Sequence, residues 1–359
     1  MLSRGTMRIL FIVTSLDDKA PANVAKALAL YQIEKGNEVV FGYFDEIIKI
    51  DIPCKKIKLS MNEPIDFDNY DIIHSHMYRP DKYVAKYSSL INRAKTISTM
   101  HCHLYEDLKY SYGRFVATIF TPIWISCLKK FDCVVEISNH ICDLYSRFFI
   151  CNKKIYNGVK LQLKQEADCF NEIKKVIVEY KEKGYIVVLS YSGIIKRKGL
   201  EQVIRLAEKD SQIAYVCIGE GNYKKALLQM VNSKDLGNRV SFFGFIKAPY
   251  YLLEYADVFI IPSYSEGFSL ALLEAGMMKS SVVCSNIKSF IMHYNQEEVS
   301  FFELRDTLSL SAAVHEAYEN KELKGKRLFD KINLQYTQRK MCEQYDELYN
   351  EIKKQKRRK

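Results

Sequence analysis

Short apolar runs alternate with helical segments along this chain, and partway along the series starts again. The first run, MRILFIV (Met7–Val13), is of strand length. A polar loop then leads to Asn23–Lys35, where Val24, Ala27, Leu28 and Tyr31 recur at helical spacing before Gly36 and Asn37 end the pattern. EVVFGYF (from Glu38), DIIHSH (from Asp71), KTISTMH (from Lys95) and CVVEIS (from Cys133) are further strands with helical segments between them. Continuous apolar strands joined by helices predict a parallel sheet covered on both faces.

After IYNGV (Ile155–Val159) and a charged, linker-like helical stretch from Gln165 to Lys183, YIVVLSYSG opens the second series. Its later strands are IAYVCIGEG (Ile213–Gly221), RVSFFGF (Arg239–Phe245), DVFIIPS (Asp257–Ser263) and SVVCSN (Ser281–Asn286). Helices are expected at Leu200–Lys209, Tyr223–Val231, Ala248–Tyr255 and Ser269–Met278. The chain thus reads as α/β, with two doubly wound parallel-sheet domains facing a cleft, residues 1–164 and 165–335. A charged helix with Tyr345 and Tyr349 on one face, and a basic tail, occupy 336–359. A length of 359 residues suits two domains. Ligands of such sheets bind outside the carboxyl ends of the strands, so the expected site is the cleft.

With 48% hydrophobic and 27% charged residues the chain can build a sizeable core. The net charge of +10 peaks in the terminal KKQKRRK, which suits a solvated tail or attraction to anionic lipid or nucleic acid. A nucleic-acid platform would spread lysines and aromatics along one face, so no nucleic-acid partner is expected. The ten cysteines are scattered without a CxxC pair, and Asp17, Asp18 and Lys19 follow the first apolar run where a secretory signal would carry a cleavage site. Together these predict reduced thiols in a cytoplasmic protein. FVATIFTPIWISCL (Phe115–Leu128) is too short to cross a bilayer, which takes about 20 residues. Lys109, Arg114, Lys129 and Lys130 flank it, and with Tyr110, Tyr112 and Trp124 they suit a helix lying on an anionic membrane surface and interrupted at Pro122. A buried interdomain helix is the competing reading.

The chemistry concentrates in the second series. SEGFSLALLEAG (Ser265–Gly276) sets Glu266 before a helix and Glu274 within it. The unsatisfied amides of Gly267, Phe268, Ser269 and Leu270 at the helix start offer a site for a phosphate or a sugar hydroxyl. A carboxylate further along can accept two hydrogen bonds from a vicinal diol such as a ribose. Spacing alone allows equally an acid favouring the helix dipole and a solvent-facing glutamate. SGIIKRKG (Ser192–Gly199) places Lys196, Arg197 and Lys198 at a strand end, where a cation would stabilise a departing diphosphate or simply face solvent. Gly219 in IGEG is a strand-end turn, and Gly244, between Phe243 and Phe245, would let the backbone approach a base or merely pack. Two histidine pairs, His74/His76 and His101/His103, end strands of the first series. Neither carries a confirming metal signature, and His101 is the candidate to hydrogen-bond a sugar.

Taken in order, NGV (Asn157–Val159), Lys198-Gly199, IGEG, FFGF and ADVFIIPSYSEGFSLALLEA resemble the retaining glycosyltransferases of family 4 (glycosyltransferases group 1), as do DIIHSH and TMH in the first half. The resemblance spans most of the chain, and its most specific element is the E-x7-E array of Glu266 and Glu274. It implies two Rossmann-like domains of the B-type fold. It further implies Glu274 on the nucleotide ribose, Glu266 near the donor sugar, and the amides of Phe268 to Leu270 near sugar and diphosphate. Lys198 would neutralise the leaving diphosphate, His101 would contact the donor sugar, and no bound metal or other cofactor would be needed. Three positions depart from the family pattern. Gly193 stands where an arginine is usual, leaving Lys196 or Arg197 to substitute. DDKAPAN (Asp17–Asn23) replaces a glycine-rich loop, and SNIKSF (Ser285–Phe290) lacks a Gly-Gly pair.

The expected activity is transfer of a hexosyl or N-acetylhexosaminyl group from a nucleotide diphosphate sugar, a UDP-sugar, to a glycan or lipid-linked glycan in bacterial surface polysaccharide assembly. The alternative is an inactive nucleotide-sugar-binding scaffold of the same fold. A dinucleotide oxidoreductase is excluded by the first loop, since VTSLDDKAPAN contains no glycine.

Overall fold

The computed structural model describes residues 6–163 and 168–355; the expected boundary at 164/165 and residues 356–359 of the basic tail lie outside the described residues. The chain divides into two compact units, Met1–Gly158 with Gln338–Lys359, and Val159–Thr337.

The first unit carries β1 (Arg8–Leu16), β2 (Glu38–Ile48), β3 (Lys55–Lys58), β4 (Ile72–His76), β5 (Lys95–Met100), β6 (Cys133–Glu136) and β7 (Asn152–Lys154). All pair in parallel, in the order β3-β2-β1-β4-β5-β6-β7. The order reverses between β1 and β4, which makes a topological switch point. The connections hold α1 (Ala20–Glu34), α2 (Tyr78–Lys86), α3 (Leu104–Tyr112), α4 (Arg114–Leu128) and α5 (Asn139–Tyr145). β4 and β5 are buried along their whole length, as a sheet covered on both faces requires.

The second unit repeats the plan with α6 (Asp168–Glu182), β8 (Ile186–Tyr191), α7 (Glu201–Lys209), β9 (Ile213–Ile218), α8 (Lys224–Ser233), β10 (Val240–Phe243) and β11 (Val258–Ile261). It continues through α9 (Leu270–Met277), β12 (Val282–Ser285), α10 (Lys288–Ile291), β13 (Ser300–Phe302), α11 (Thr307–Glu319) and α12 (Lys321–Gln335). Its parallel sheet runs β10-β9-β8-β11-β12-β13, so β8 and β11 flank its switch point. Val188, Ile204, Tyr215, Ile260 and Val314 are buried in one core beneath this sheet.

The last helix, α13 (Gln338–Lys353), belongs to the first unit. Tyr345 and Tyr349 are both fully buried, and their hydroxyls reach Thr99 Oγ1 (2.8 Å) and His74 Nδ1 (2.7 Å).

Three local expectations change. The segment expected as a helix over Ala248–Tyr255 is a 3-10 turn, Pro249–Glu254, entered from Ala248 in the left-handed region (φ 49°). Pro122 does not break α4: it lacks the N–H that would reach Thr118, on an exposed side of the helix where water can take that carbonyl. Trp124 is not a membrane-surface aromatic. It is buried, and its indole Nε1–H donates to Asp81 at 2.7 Å. Asp81 also accepts from Ser75 (2.6 Å) and Ser98 (2.7 Å), and burial, against these hydrogen bonds, lifts its carboxyl to about 6.

Candidate active site

In the second unit the loops after β8 and β11 meet at the switch point, and glycines permit the approach. Gly199, in the left-handed region at φ 63°, ends the turn Lys196–Lys198, and a Cβ there would lie 2.2 Å from the Pro262 carbonyl oxygen. At Gly219 (φ 142°) a Cβ would lie 2.0 Å from the Ser192 carbonyl oxygen, which seats the β9 turn against the β8 loop. Gln202 Nε2 donates to the Pro262 carbonyl (2.8 Å), and Tyr264 N donates to the Arg197 carbonyl (2.9 Å).

This register brings Lys198, Arg197 and Glu266 together. Glu266 is buried, and its Oε1 accepts from Lys198 Nζ (2.6 Å) and from Ser263 Oγ (2.7 Å). Arg197 Nη1 donates to the Ser265 carbonyl (2.6 Å) and lies 3.4 Å from Glu266 Oε2. Burial opposes the Glu266 charge, but the pull of Lys198 and Arg197 and the hydrogen bonds from Lys198 and Ser263 outweigh it, holding the carboxyl at about 2. Burial draws the Lys198 ammonium down from the ordinary lysine value while Glu266 opposes that shift. The buried Glu266 carboxylate thereby draws two half-buried cations, Lys198 and Arg197, to one strand-end site.

Glu266 precedes α9 rather than lying in it. Gly267 and Phe268 are buried, and the Phe268 ring packs against His293 and Tyr336 (both 5.2 Å) at the helix start. Ser269 caps α9, its Oγ accepting from Leu272 N at 3.3 Å, and Leu270 opens the helix half-buried. Glu274 lies one turn further on, beside the phenol of Tyr191 at the end of β8. Burial, and then the Glu274 charge, push that phenol well above the usual tyrosine range. Phe245 stands apart from this cluster, 60% exposed on the loop after the edge strand β10.

In the first unit, the end of β5 delivers His101. Its Nε2 is 2.8 Å from Nδ1 of His76 at the end of β4, and burial lowers its imidazole to about 3. His74 is fully buried, bonded to Tyr349 and, through Nε2, to Thr99 Oγ1 (2.8 Å). His103 caps α3, accepting from Glu106 N at 3.3 Å. Among the described residues no group of three or more His, Cys, Asp or Glu side chains is arranged to hold a metal ion.

Sequence reasoning missed Ser263, His76 and Tyr191, which touch Glu266, His101 and Glu274 respectively. Ser263 and His76 were visible as a serine after the proline that ends a strand and as the last residue of DIIHSH; Tyr191 carried no signal.

Two switch-point sheets and a buried cation–carboxylate cluster at a helix start define a protein of the B-type glycosyltransferase fold. HepE of Anabaena, solved in complex with UDP and glucose, has this architecture, with a TM-score of 0.79 at 16% identity over 96% of this chain and all of that one. Residues 171–328 match the family described as Glycosyl transferases group 1, and residues 56–163 match Glycosyltransferase Family 4. With one model matched in each unit, the chain is a glycosyltransferase. It is 28% identical to the O-antigen biosynthesis glycosyltransferase WclY of Escherichia coli over 96% of this chain and 99% of that protein. It is 25% identical, over 68% of this chain and 67% of the relative, to a Campylobacter jejuni enzyme. That enzyme is named as an N-acetylgalactosamine-N,N'-diacetylbacillosaminyl-diphospho-undecaprenol 4-alpha-N-acetylgalactosaminyltransferase.

Proposed function

We propose that this glycosyltransferase moves a hexosyl or N-acetylhexosaminyl group, with retention at the anomeric carbon, from a UDP-sugar to a hydroxyl of a glycan or lipid-linked glycan. The setting is bacterial surface polysaccharide assembly in the cytoplasm, at the inner face of the membrane. The observation that carries the reading is the Lys198–Arg197–Glu266 cluster beside the start of α9, which fixes two cations on one carboxylate at a strand-end site. The relatives named for O-antigen synthesis and for transfer to a diphospho-undecaprenol glycan support the polymer setting, and HepE, bound to UDP, supports the donor class.

In this reading Glu274 accepts from the ribose hydroxyls, and Phe245 and Gly219 border the base. The diphosphate lies against Lys198, Arg197, Gly267 and the amides of Phe268, Ser269 and Leu270. Glu266 orients Lys198 and Arg197. The bond from the anomeric carbon to the diphosphate oxygen breaks with its electron pair going to the diphosphate, the acceptor oxygen bonds to that carbon, and the acceptor proton leaves with the diphosphate. His101 contacts the donor sugar. Charge on the leaving group is met by protein cations and helix amides, so the reaction needs no bound metal or other cofactor.

The membrane contact in this proposal is the outer face of α4. Ala117, Trp124 and Leu128 face inward, while Phe115 (79% exposed), Ile119, Phe120 and Ile123 are bare beside exposed Arg114, Lys129 and Lys130. No helix among the described residues is long and apolar enough to cross a membrane, whereas this face suits lying on one.

Thermal-shift titration with UDP-, GDP-, ADP- and CMP-sugars tests the donor, because a ligand that binds only the folded chain raises its midpoint. A shift with UDP-sugars, lost in Glu274→Ala, is expected; no shift with any of them, or near-normal turnover in purified Glu274→Ala, overturns the assignment. Co-sedimentation with anionic vesicles at low salt, abolished by Phe115→Glu with Ile119→Glu, is the expected membrane result. Equal recovery with and without vesicles overturns that part.

A further inference from the structure

Among the described residues, one ring nitrogen of His76 meets no hydrogen-bonding group. The residue is fully buried at the end of β4, with its ring 4.3 Å from that of His74 and 6.3 Å from that of Phe11. Its Nδ1 faces His101 Nε2 at 2.8 Å, while its Nε2 has no partner among the described residues. His74 cannot relieve it, because both His74 nitrogens are engaged, by Tyr349 and by Thr99. Burial keeps both His76 and His101 neutral.

Two neutral imidazoles bonded nitrogen to nitrogen share one proton, so one ring donates and the other accepts. If His76 accepted at Nδ1, its own proton would sit on Nε2, a buried N–H aimed at nothing. If His76 donates from Nδ1, Nε2 keeps only a lone pair. Orphaned donors are the rarer arrangement in protein interiors, and an under-used acceptor is the one tolerated.

We infer that His76 is a positioning residue whose Nδ1–H donates to His101 Nε2, fixing His101 as the Nδ1–H tautomer with a hydrogen-bond donor, not an acceptor, left for a ligand. His101 is half-buried, and its Nδ1 makes no hydrogen bond among the described residues, so that proton is available. The consequence rests on the reading that His101 contacts the donor sugar: the ring then donates to a sugar oxygen and cannot serve as a base at Nδ1. His74 contributes by holding the His76 ring in its stack, with Tyr349 and Thr99 fixing His74 in turn.

The test is long-range proton–nitrogen correlation NMR on the full chain with 15N-labelled histidine, signals assigned by the His76→Phe and His101→Ala variants. The expected spectrum has a protonated Nδ1 and an unprotonated Nε2 on His101. In His76→Phe, with its thermal melt checked to keep the fold in view, the preference is lost and kcat falls about tenfold, the worth of one hydrogen bond, while KM for the donor stays within about twofold. An Nε2–H tautomer of His101 in the unmodified chain, or an unchanged tautomer in folded His76→Phe, overturns the inference. His101→Ala separates the two claims: undiminished turnover there removes His101 from the reaction without touching the tautomer result.

Discussion

At the ends of β4 and β5 the first unit buries imidazoles and keeps them neutral, whereas at the ends of β8 and β11 the second buries a carboxylate and keeps it charged. The sheets are alike, both parallel with a switch point in the middle. What differs is the counter-charge. His74, His76 and His101 are surrounded by hydroxyls, aromatic rings and one another, so desolvation wins. Glu266 has Lys198 and Arg197 within reach, so Coulomb attraction wins. One scaffold thereby offers neutral hydrogen bonding at one set of strand ends and fixed charge at another.

Removing the counter-charge should break the contrast most forcefully. Lys198→Ala is expected to slow sugar transfer by roughly a hundredfold, or about 3 kcal/mol. The same change leaves Glu266 buried with a weaker partner and should cost about 3 kcal/mol or more of stability, read by denaturant unfolding. Gly199→Ala comes next. A methyl group there meets the Pro262 carbonyl and holds a left-handed backbone, so a loss on the order of 3 kcal/mol is expected, with weaker donor binding as the two loops part.

Acid should distinguish the two units by window. His101 titrates near 3 when folded against an ordinary 6.5, so its contribution is intact above 6.5 and is lost as pH falls from there toward 3. Glu266 titrates near 2 against 4.5, so its contribution is intact above 4.5 and is lost as pH falls from there toward 2. Thermal midpoints of His101→Gln should accordingly vary less than those of the unmodified chain between pH 6.5 and 4.5, while Glu266→Gln should flatten only the lower range. The smallest effect is expected from Tyr349→Phe, which removes one hydroxyl from His74 and should cost about 1 kcal/mol in denaturant unfolding, with little change in transfer.

Much of this was legible beforehand because long buried strands announce themselves. The apolar cores of β1, β4, β5, β8, β9 and β11 all appear as runs in the sequence, and the glutamate-bearing loop follows one of them. The short edge strands β3 (KKIK) and β7 (NKK) do not, since one isoleucine among three lysines, or three polar and charged residues, makes no apolar run. Trp124 was misjudged for a related reason: an aromatic in a basic-flanked helix suits a membrane surface, and only the packing of α4 over Asp81 turned the indole inward.

The sequence by itself determined that two parallel sheets would form, which strand ends would carry Lys198, Glu266 and His101, and that Glu274 would ride on a helix after the first acid, Glu266. Those follow from local patterns of burial and turn residues, which act over a few positions. It could not determine that Lys198 and Arg197 would spend their charge on Glu266, that His76 would grip His101, or that α13 would join the first unit through Tyr345 and Tyr349. These contacts join residues 25 to 275 positions apart. Only the register of neighbouring strands and the docking of the last helix bring them within the 3 Å or so at which charge and hydrogen bonding act.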